Sequence, residues 1–292
     1  MKVAVIFGGP SPEAEISRKS AQSVIKALKS LGHEVYPIEL TKDLPFKLKE
    51  ISPHKVFLSL HGKPGEDGTV QGLLEIMGIP YTGSGVIASA LAIDKDVCKR
   101  YLSSYGIPVP SGFTLFKGEK VPKFLEFPCI VKPSSGGSSV GTTLVKEEKL
   151  FPEALNKAFL YDDKVLIEEY LPGKELTVSV VNGRAFTPVE IVPASEFYDY
   201  DSKYESSGTR YLIPAEITPN LTKRLKNLAL KVYSLLNCKG AIRVDFKLDS
   251  YGSPYLLEVN TIPGLTERSL LPKAAAFEGL TFEELIREML EG

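Results

Sequence analysis

The chain has 292 residues, 43% of them hydrophobic and 24% charged, and its 35 Lys and Arg against 36 Asp and Glu leave a formal net charge of −1. That composition supports a packed core and gives no prior for nucleic acid or an anionic membrane surface, both of which favour a basic protein; cations that bind phosphate must be concentrated locally. The three cysteines, Cys98, Cys129 and Cys238, are too far apart for a zinc motif or a disulfide framework and point to a reduced, cytoplasmic setting, while "MKVAVIFGG" is too short for a signal peptide and no apolar run is long enough to span a membrane.

Length suggests two or three domains. "KVAVIF", a short continuous apolar run stopped by "GG", predicts a buried parallel strand. "EISRKSAQSVIKALKSLG" carries Ile16, Ser20, Val24, Leu28 and Leu31 at helical spacing and ends at Gly32. "HEVYPIEL" and "KVFLSLHG" read as further strands and "TVQGLLEIMG" as a short helix closing at Gly78. This alternation argues for an open parallel α/β layer over roughly the first ninety residues. "ASALAIDKDVCKRYLSSYGIPVP" gives one helical pattern ending at Gly106, and a domain boundary near Asp94 divides the chain into segments 1–94, 95–181 and 182–292.

The middle segment predicts strands at 113–116, 128–132, 140–145 and 164–169 and a helix at about 147–160. The last holds a long polar loop at about 193–213, a helix opened by Thr218 and Pro219, two strands, and a closing helix whose Thr281 and Glu284 have capping-box spacing. The loop's "FYDYDSKYESSGTRY" is too polar for a core element; long loops of this kind are surface turns or binding lids.

Two stretches carry chemistry. "IVKPSSGGSSVG" runs from an apolar strand through Lys132 into a Gly/Ser loop. A Walker loop places its lysine after the glycines, so this is a plain turn or a phosphate loop of another design. In "AIRVDFKLDSYGSPYLLEVN" a hairpin loop joins two alternating strands. Ile242, Val244, Phe246 and Leu248 share one face of the first, and Tyr255, Leu257 and Val259 one face of the second. Pairing Asp249 near Pro254 sets Asp245 opposite Glu258 and Arg243 opposite Asn260. Facing carboxylates repel. Either Arg243 and Lys247 neutralise them on a solvated face, or Asp245, Glu258 and Asn260 supply oxygens to a hard cation such as Mg²⁺. The turn "VNTIPGLT" brings backbone N–H groups beside them, which suits an anion.

A phosphate loop, a preceding lysine and a separate oxygen-ligand set resemble an ATP-grasp enzyme, and specifically the D-alanine–D-alanine ligase family. The resemblance covers essentially the whole chain and is carried by "FGGPSPEAEIS", "LHGKPGEDGTVQGLLEIMGIPYTGSGVIASALAIDK", "IVKPSSGGSSVG", "LIEEYLPGKELTV", "FYDYDSKY", "RVDF" and "LLEVNTIPGLTERSLLP", in the family's order. It implies an α/β (α+β) fold of three domains: an N-terminal open parallel layer and two antiparallel-sheet domains that clamp ATP. It implies ligation of two D-alanines through an acyl phosphate for peptidoglycan synthesis, with two Mg²⁺ or Mn²⁺ per site, in a cytoplasmic homodimer that binds neither nucleic acid nor membrane.

By the same resemblance Lys95 and Lys132 reach the phosphates. Glu168 accepts from the adenine amino group, the backbone of Glu169 and Leu171 reads the ring edge, and Glu175 takes the ribose. Glu169 departs from the lysine common in the family, a change that backbone contact would tolerate. Asp245, Glu258 and Asn260 hold the metals; Arg243 and the Gly264 N–H stabilise oxyanion charge. Glu13 binds the first D-alanine's ammonium, and His61, supported by Glu66, lies near its carboxylate. Ser269 and the Leu270 N–H, helped by Lys203, hold the second carboxylate. Lys203, also on the nucleotide side, and Tyr204 belong to a lid, in which Tyr204 hydrogen-bonds Ser138 and Ser138 Glu13.

Several of these residues also have a plainer reading: Lys95 as a helix-surface lysine, Glu13 as a helix N-terminal charge, His61 as a structural histidine, "EE" as a solvated strand face. Within the fold the alternative activity is a depsipeptide D-alanine–D-lactate ligase or another carboxylate–amine ligase, although such depsipeptide relatives lack the "KY" of Lys203-Tyr204. A non-catalytic nucleotide-binding regulator would be expected to lose the metal ligands or Arg243. An oxidoreductase fits poorly, because "FGGPSPE" lacks G-x-G-x-x-G.

Overall fold

The first apolar run becomes the central strand of a parallel sheet. The structure, a computed structural model, describes residues 1–122, 125–137, 139–193 and 208–292. Ser138, Lys203 and Tyr204 lie outside them. β1 (Lys2–Phe7) is flanked by β2 (Glu34–Glu39) and β3 (Lys55–Ser59), in the order β2-β1-β3. Val3, Ala4, Val5 and Ile6 are all fully buried, which is why the run does not alternate. Helix α1 (Ala14–Ser30) covers one face, burying Val24, Ala27 and Leu28. Its buried Ser17 accepts from the Gly8 N–H at 2.7 Å and donates to the Ser59 carbonyl at 2.5 Å, so the polar group is satisfied. Ile16 lines a cleft instead of entering the core. α2 (Leu44–Ile51) and α3 (Thr69–Ile76) complete this layer.

The single helical pattern around Asp94 is two helices, α4 (Val86–Ile93) and α5 (Lys95–Ser104). Asp94 between them is extended, with φ −91° and ψ 98°, and its carboxylate accepts from the Val97 N–H at 3.2 Å. Asp is a strong N-cap, and it interrupts the pattern without interrupting the apolar period. Lys95 becomes the first residue of a new helix.

The middle sheet is antiparallel, in the order β4-β7-β5-β6: β4 (Gly112–Phe116), β5 (Cys129–Pro133), β6 (Thr143–Val145) and β7 (Lys164–Glu169). Helix α6 (Phe151–Ala158) packs on the face of Val131, Val165 and Ile167. The third sheet runs β11-β10-β8-β12-β13, with β9 on β8: β8 (Glu175–Val181), β9 (Arg184–Ala185), β10 (Val189–Val192), β11 (Arg210–Leu212), β12 (Ala241–Leu248) and β13 (Pro254–Asn260). It holds more than the two strands expected after residue 182. β11 lies inside the stretch expected to be loop, and β8, which falls in the segment 95–181, pairs with β10 and β12. α7 (Pro219–Leu235) starts as expected at Thr218, whose hydroxyl accepts from Leu221 N–H at 3.3 Å.

The hairpin of β12 and β13 departs from strict alternation. Arg243 pairs with Asn260 and Asp245 with Glu258, as expected, but Phe246 pairs with Leu256 and Leu248 with Pro254. A bulge inserts one residue between the two registers. Leu256 is therefore fully buried, on the face expected for Leu257, and Leu257 turns to the opposite face with Glu258.

α8 (Leu270–Phe277) and α9 (Phe282–Glu291), the latter opened by the Thr281–Glu284 capping box, bring the end of the chain back to its beginning. Leu285, Ile286 and Met289 share one core with Val3, Val5 and Phe57 of the first sheet, Val189 and Ile191 of the third, and Phe186 between β9 and β10. Lys55 donates to the Leu290 carbonyl at 2.6 Å across the same junction. Among the described residues no helix is long and apolar enough to cross a membrane. Leu285→Ala should cost about 2–5 kcal/mol of unfolding free energy, because Leu285 is fully buried in the shared core. Phe46→Ala, at a side chain 75% exposed, should stay within about 0.5 kcal/mol, and denaturant titration of both variants checks the contrast.

Candidate active site

A pocket lies between the middle and third sheets, and strand register decides which side chains enter it. Ile130 pairs with Glu168 and Lys132 with Leu166, so Ile130, Lys132 and Glu168 share the face turned to the pocket. Glu169 points the other way, and its carboxylate accepts from the Ser111 N–H at 2.7 Å. From the third sheet come Glu175, Asp245, Lys247 and, by way of the bulge, Leu257 and Glu258. Gly136, Gly137 and Val140 of the glycine loop border it.

The pocket walls carry alternating charges. Lys247 meets Glu175 at 3.2 Å, its cross-strand partner. Arg243 donates to both oxygens of Asp245, at 2.9 and 2.8 Å, and the Thr177 hydroxyl donates to one of them at 2.5 Å. The Lys95 ammonium lies 3.4 Å from Glu258 and donates to the Gly136 carbonyl. Arg243 thus neutralises Asp245, whereas Lys247 serves Glu175 and Lys95 stands by Glu258. At the β5–β7 wall Lys132 lies 2.7 Å from Glu168, and Lys99 donates to the other Glu168 oxygen.

Asp245, Glu258 and Asn260 offer only oxygens, and the Asn260 side-chain carbonyl is oriented by the Ile262 N–H at 3.0 Å. Among the described residues no group of three His, Cys, Asp or Glu is placed to hold a metal ion by itself. Two carboxylates and an amide still fit a magnesium-type cation, which takes few protein ligands and completes its shell with water and phosphate.

The loop's base is tied to α5. Ser134 donates to Asp94 at 2.8 Å, the Lys95 N–H donates to the Ser134 carbonyl at 2.8 Å, and Ser135 N–H donates to Asp162 at 2.7 Å. Lys164 grips Asp94 at 2.7 and 2.5 Å. Burial raises the Asp94 carboxyl, but the hydrogen bonds from Lys164, Ser134 and Val97 outweigh it and hold the group below its ordinary value. These anchors, with Lys99 and Thr177, were not singled out from sequence. Lys99 was findable, four residues after Lys95 on one helix face.

A second cleft opens beside the pocket, lined by Glu13, His61, Glu66, Arg243, Gly264 and Ser269. The glycine loop reaches it: a Cβ on Gly137 would lie 2.9 Å from a Glu13 oxygen. His61 is 7% exposed, and its Nε2 has no partner among the described residues. Burial, with the Arg243 charge against that of Glu13, lowers its imidazole, so the ring is neutral at pH 7. Glu66 accepts from the Gly62 N–H at 2.6 Å; that bond, and not one to His61, fixes it. Burial and the Glu13 charge push its carboxyl up to about 8 against the Gly62 bond and Arg243. Ser269 N-caps α8, and its hydroxyl accepts from Thr266 N–H at 3.0 Å; the Leu270 N–H heads the helix, where no intrahelical carbonyl can reach it. A Cβ on Gly264 would lie 2.9 Å from the Ser269 hydroxyl, so glycine permits that approach. Lys95, Gly136, Gly137, Asp245 and Glu258 line both cavities.

Two antiparallel sheets closing on such a pocket beneath a glycine loop, with a parallel α/β layer supplying the adjoining cleft, define an ATP-grasp enzyme. The family model described as D-ala D-ala ligase C-terminus matches residues 110–291, and the one described as D-ala D-ala ligase N-terminus matches 2–55 and 47–84. A D-alanine–D-alanine ligase of Aquifex aeolicus is 46% identical over 288 residues, covering 98% of each chain. The crystal structure of the D-alanine–D-alanine ligase from Bacillus anthracis complexed with ATP superposes with a TM-score of 0.88 at 35% identity, over 100% of this chain and 96% of that one. The VanG D-Ala:D-Ser ligase from Enterococcus faecalis gives 0.86 at 32% identity, over 99% and 98%. The chain belongs to the D-alanine–D-alanine ligase family.

The raised Glu66 value has a pH signature. Between the ordinary carboxyl value and about 8 the folded protein keeps a proton that the unfolded chain has released, so Glu66 removes stability as pH rises through that window. Glu66→Gln mimics the protonated form. Its unfolding free energy relative to wild type, from denaturant titration, should be least favourable near the acid end and climb as pH approaches 8, by up to a few kcal/mol at about 1.4 kcal/mol per unit. A difference flat from acid to alkaline pH would show that folding leaves the Glu66 carboxyl at its ordinary value.

Proposed function

We propose that the chain joins two D-alanines to D-alanyl-D-alanine at the expense of ATP, releasing ADP and phosphate, and so supplies a peptidoglycan precursor. The observation that carries this reading is the wall common to the two cavities, which lets a phosphoryl group in one meet a carboxylate in the other. ATP would lie with adenine at Glu168 and the backbone of Glu169 and Leu171, ribose at Glu175 and phosphates under the glycine loop beside Lys95 and Lys132. An oxygen of the first D-alanine carboxylate attacks the γ-phosphorus, and the bond to the β-phosphate oxygen breaks, giving ADP and an acyl phosphate. The second amine attacks the acyl carbon, and phosphate leaves.

Glu13 holds the first ammonium. A neutral His61 with an unused Nε2 suits the first carboxylate, donating without a competing charge. Ser269 and the Leu270 N–H take the second carboxylate, with Lys203. Arg243, released from Asp245, and the Gly264 N–H stabilise oxygen charge in both steps. Asp245, Glu258 and Asn260 would hold two Mg²⁺ or Mn²⁺, which supply charge neutralisation at the β- and γ-phosphates. Lys203, Tyr204 and Ser138 would close the site against water, which matters because an acyl phosphate hydrolyses readily. A cytoplasmic homodimer completes the proposal, with domain divisions at 94 and, because β8 pairs within the third sheet, near Gly173.

D-alanine should stimulate phosphate release from ATP, and L-alanine and D-lactate should not. The D-serine relative makes D-serine a necessary further arm, and preference for it or for D-lactate would replace the dipeptide assignment. Glu258→Gln removes charge and little volume, and should lower turnover on the order of a hundredfold, about 2.7 kcal/mol, with the fold intact by circular dichroism. A near wild-type rate at saturating Mg²⁺ would take the metal site off this hairpin.

A further inference from the structure

Lys99 is a buried cation that the reaction as written does not use. It is 5% exposed, on the same face of α5 as Lys95 and one turn on. It does not line the nucleotide pocket. Its ammonium donates to one oxygen of Glu168, which is 3% exposed, while Lys132, 9% exposed, stands 2.7 Å from the other. Gly112 faces Glu168 across the sheet, and a Cβ there would lie 3.0 Å from the Glu168 Cγ, so the carboxylate is confined on that side too.

We infer that Lys99 is a positioning residue for nucleotide choice: it fixes Glu168 as a carboxylate that only accepts, so that the base pocket requires a hydrogen-bond donor at the purine 6-position. The inference rests on the reading that adenine lies against Glu168. Under that reading Lys132 has two claims on it, Glu168 and the phosphates, and cannot serve both fully. A buried carboxyl left with neither lysine would take up a proton and gain an O–H donor, which would accommodate a 6-oxo purine as readily as a 6-amino one. Lys99 prevents this because Glu168 is the one carboxylate it pairs with among the described residues.

The local electrostatics agree. Burial raises the Glu168 carboxyl, but Lys132 and Lys99 outweigh it and hold the group below its ordinary value. Burial and the neighbouring Lys132 charge bring Lys99 down to about 7 in spite of Glu168. Movement of Lys132 to a phosphate would remove one of the two lowering influences, so Lys99 pairs with Glu168 most firmly when nucleotide is bound.

The test is steady-state kinetics of the full-length protein with ATP and with inosine triphosphate, which carries a 6-oxo group and an N1 proton. For Lys99→Met the KM for ATP should rise at least tenfold, kcat at saturating ATP should change less than threefold, and the ATP-to-ITP ratio of kcat/KM should fall at least tenfold. Lys99→Arg should restore the ratio to within threefold of wild type. A purely structural role would depress both nucleotides alike, so an unchanged ratio in Lys99→Met, or no rescue by arginine, overturns the inference. Should Lys99→Met fail to fold, Lys99→Met with Glu168→Gln removes both charges. Its ratio should equal that of Glu168→Gln alone, and a further drop would mean that Lys99 acts elsewhere. Wild-type protein that used ATP and ITP equally would remove adenine from Glu168 and overturn the underlying reading; selective wild type with a selective Lys99→Met overturns the inference alone.

Discussion

Two carboxylates, Asp245 and Glu258, face one another across a hairpin, and the surrounding structure is arranged around their repulsion. Arg243 and Thr177 hold Asp245, and Lys95 approaches Glu258 from helix α5. None of these partners closes the pair off. Each is a cation or a donor, and Asp245 and Glu258 line both cavities. The bulge in β13 makes the arrangement possible by letting Leu256 enter the core while Glu258 stays on the pocket face. A continuous register would force a choice between them.

Lys95 and Lys99 owe their positions to one local feature, the break at Asp94. Capping α5 there starts the helix at the pocket's edge and stacks the two lysines one turn apart, Lys95 toward Gly136 of the glycine loop and Lys99 toward Glu168. The Asp94 carboxylate is in turn held by Ser134 and Lys164, so the strand that carries Lys132 and the helix that carries Lys95 are fixed to one another. The core shared by the first sheet, the third sheet and α9 sets the second cleft against this frame.

Much of this was legible in the sequence. Facing carboxylates followed from period-2 alternation and one hairpin loop, and the buried first strand from an unbroken apolar run. Lys132, Glu168 and Glu175, which the family resemblance assigned to the site, do line the pocket. What escaped depended on single-residue irregularities. A bulge changes the face of Leu256 and Leu257 without changing composition. An Asp that caps a helix can also sit within one, so the break at Asp94 is hidden by an apolar period that continues through it. The hydrogen bond between Glu66 and Gly62 is a matter of turn geometry, and the sequence indicates only that the two residues are near. Lys99 was not singled out because its partner lies 69 residues away.

The central claim is that the Asp245–Glu258 pair is built to exchange its present cations for those that accompany a nucleotide's phosphates. A crystal structure with Mn²⁺ and a non-hydrolysable ATP analogue, the metal located by anomalous scattering, tests it most directly. The account predicts manganese signal at Asp245, Glu258 and Asn260, Arg243 displaced from Asp245, and the adenine amino group at Glu168. An intact Arg243–Asp245 pair with manganese bound elsewhere would contradict it.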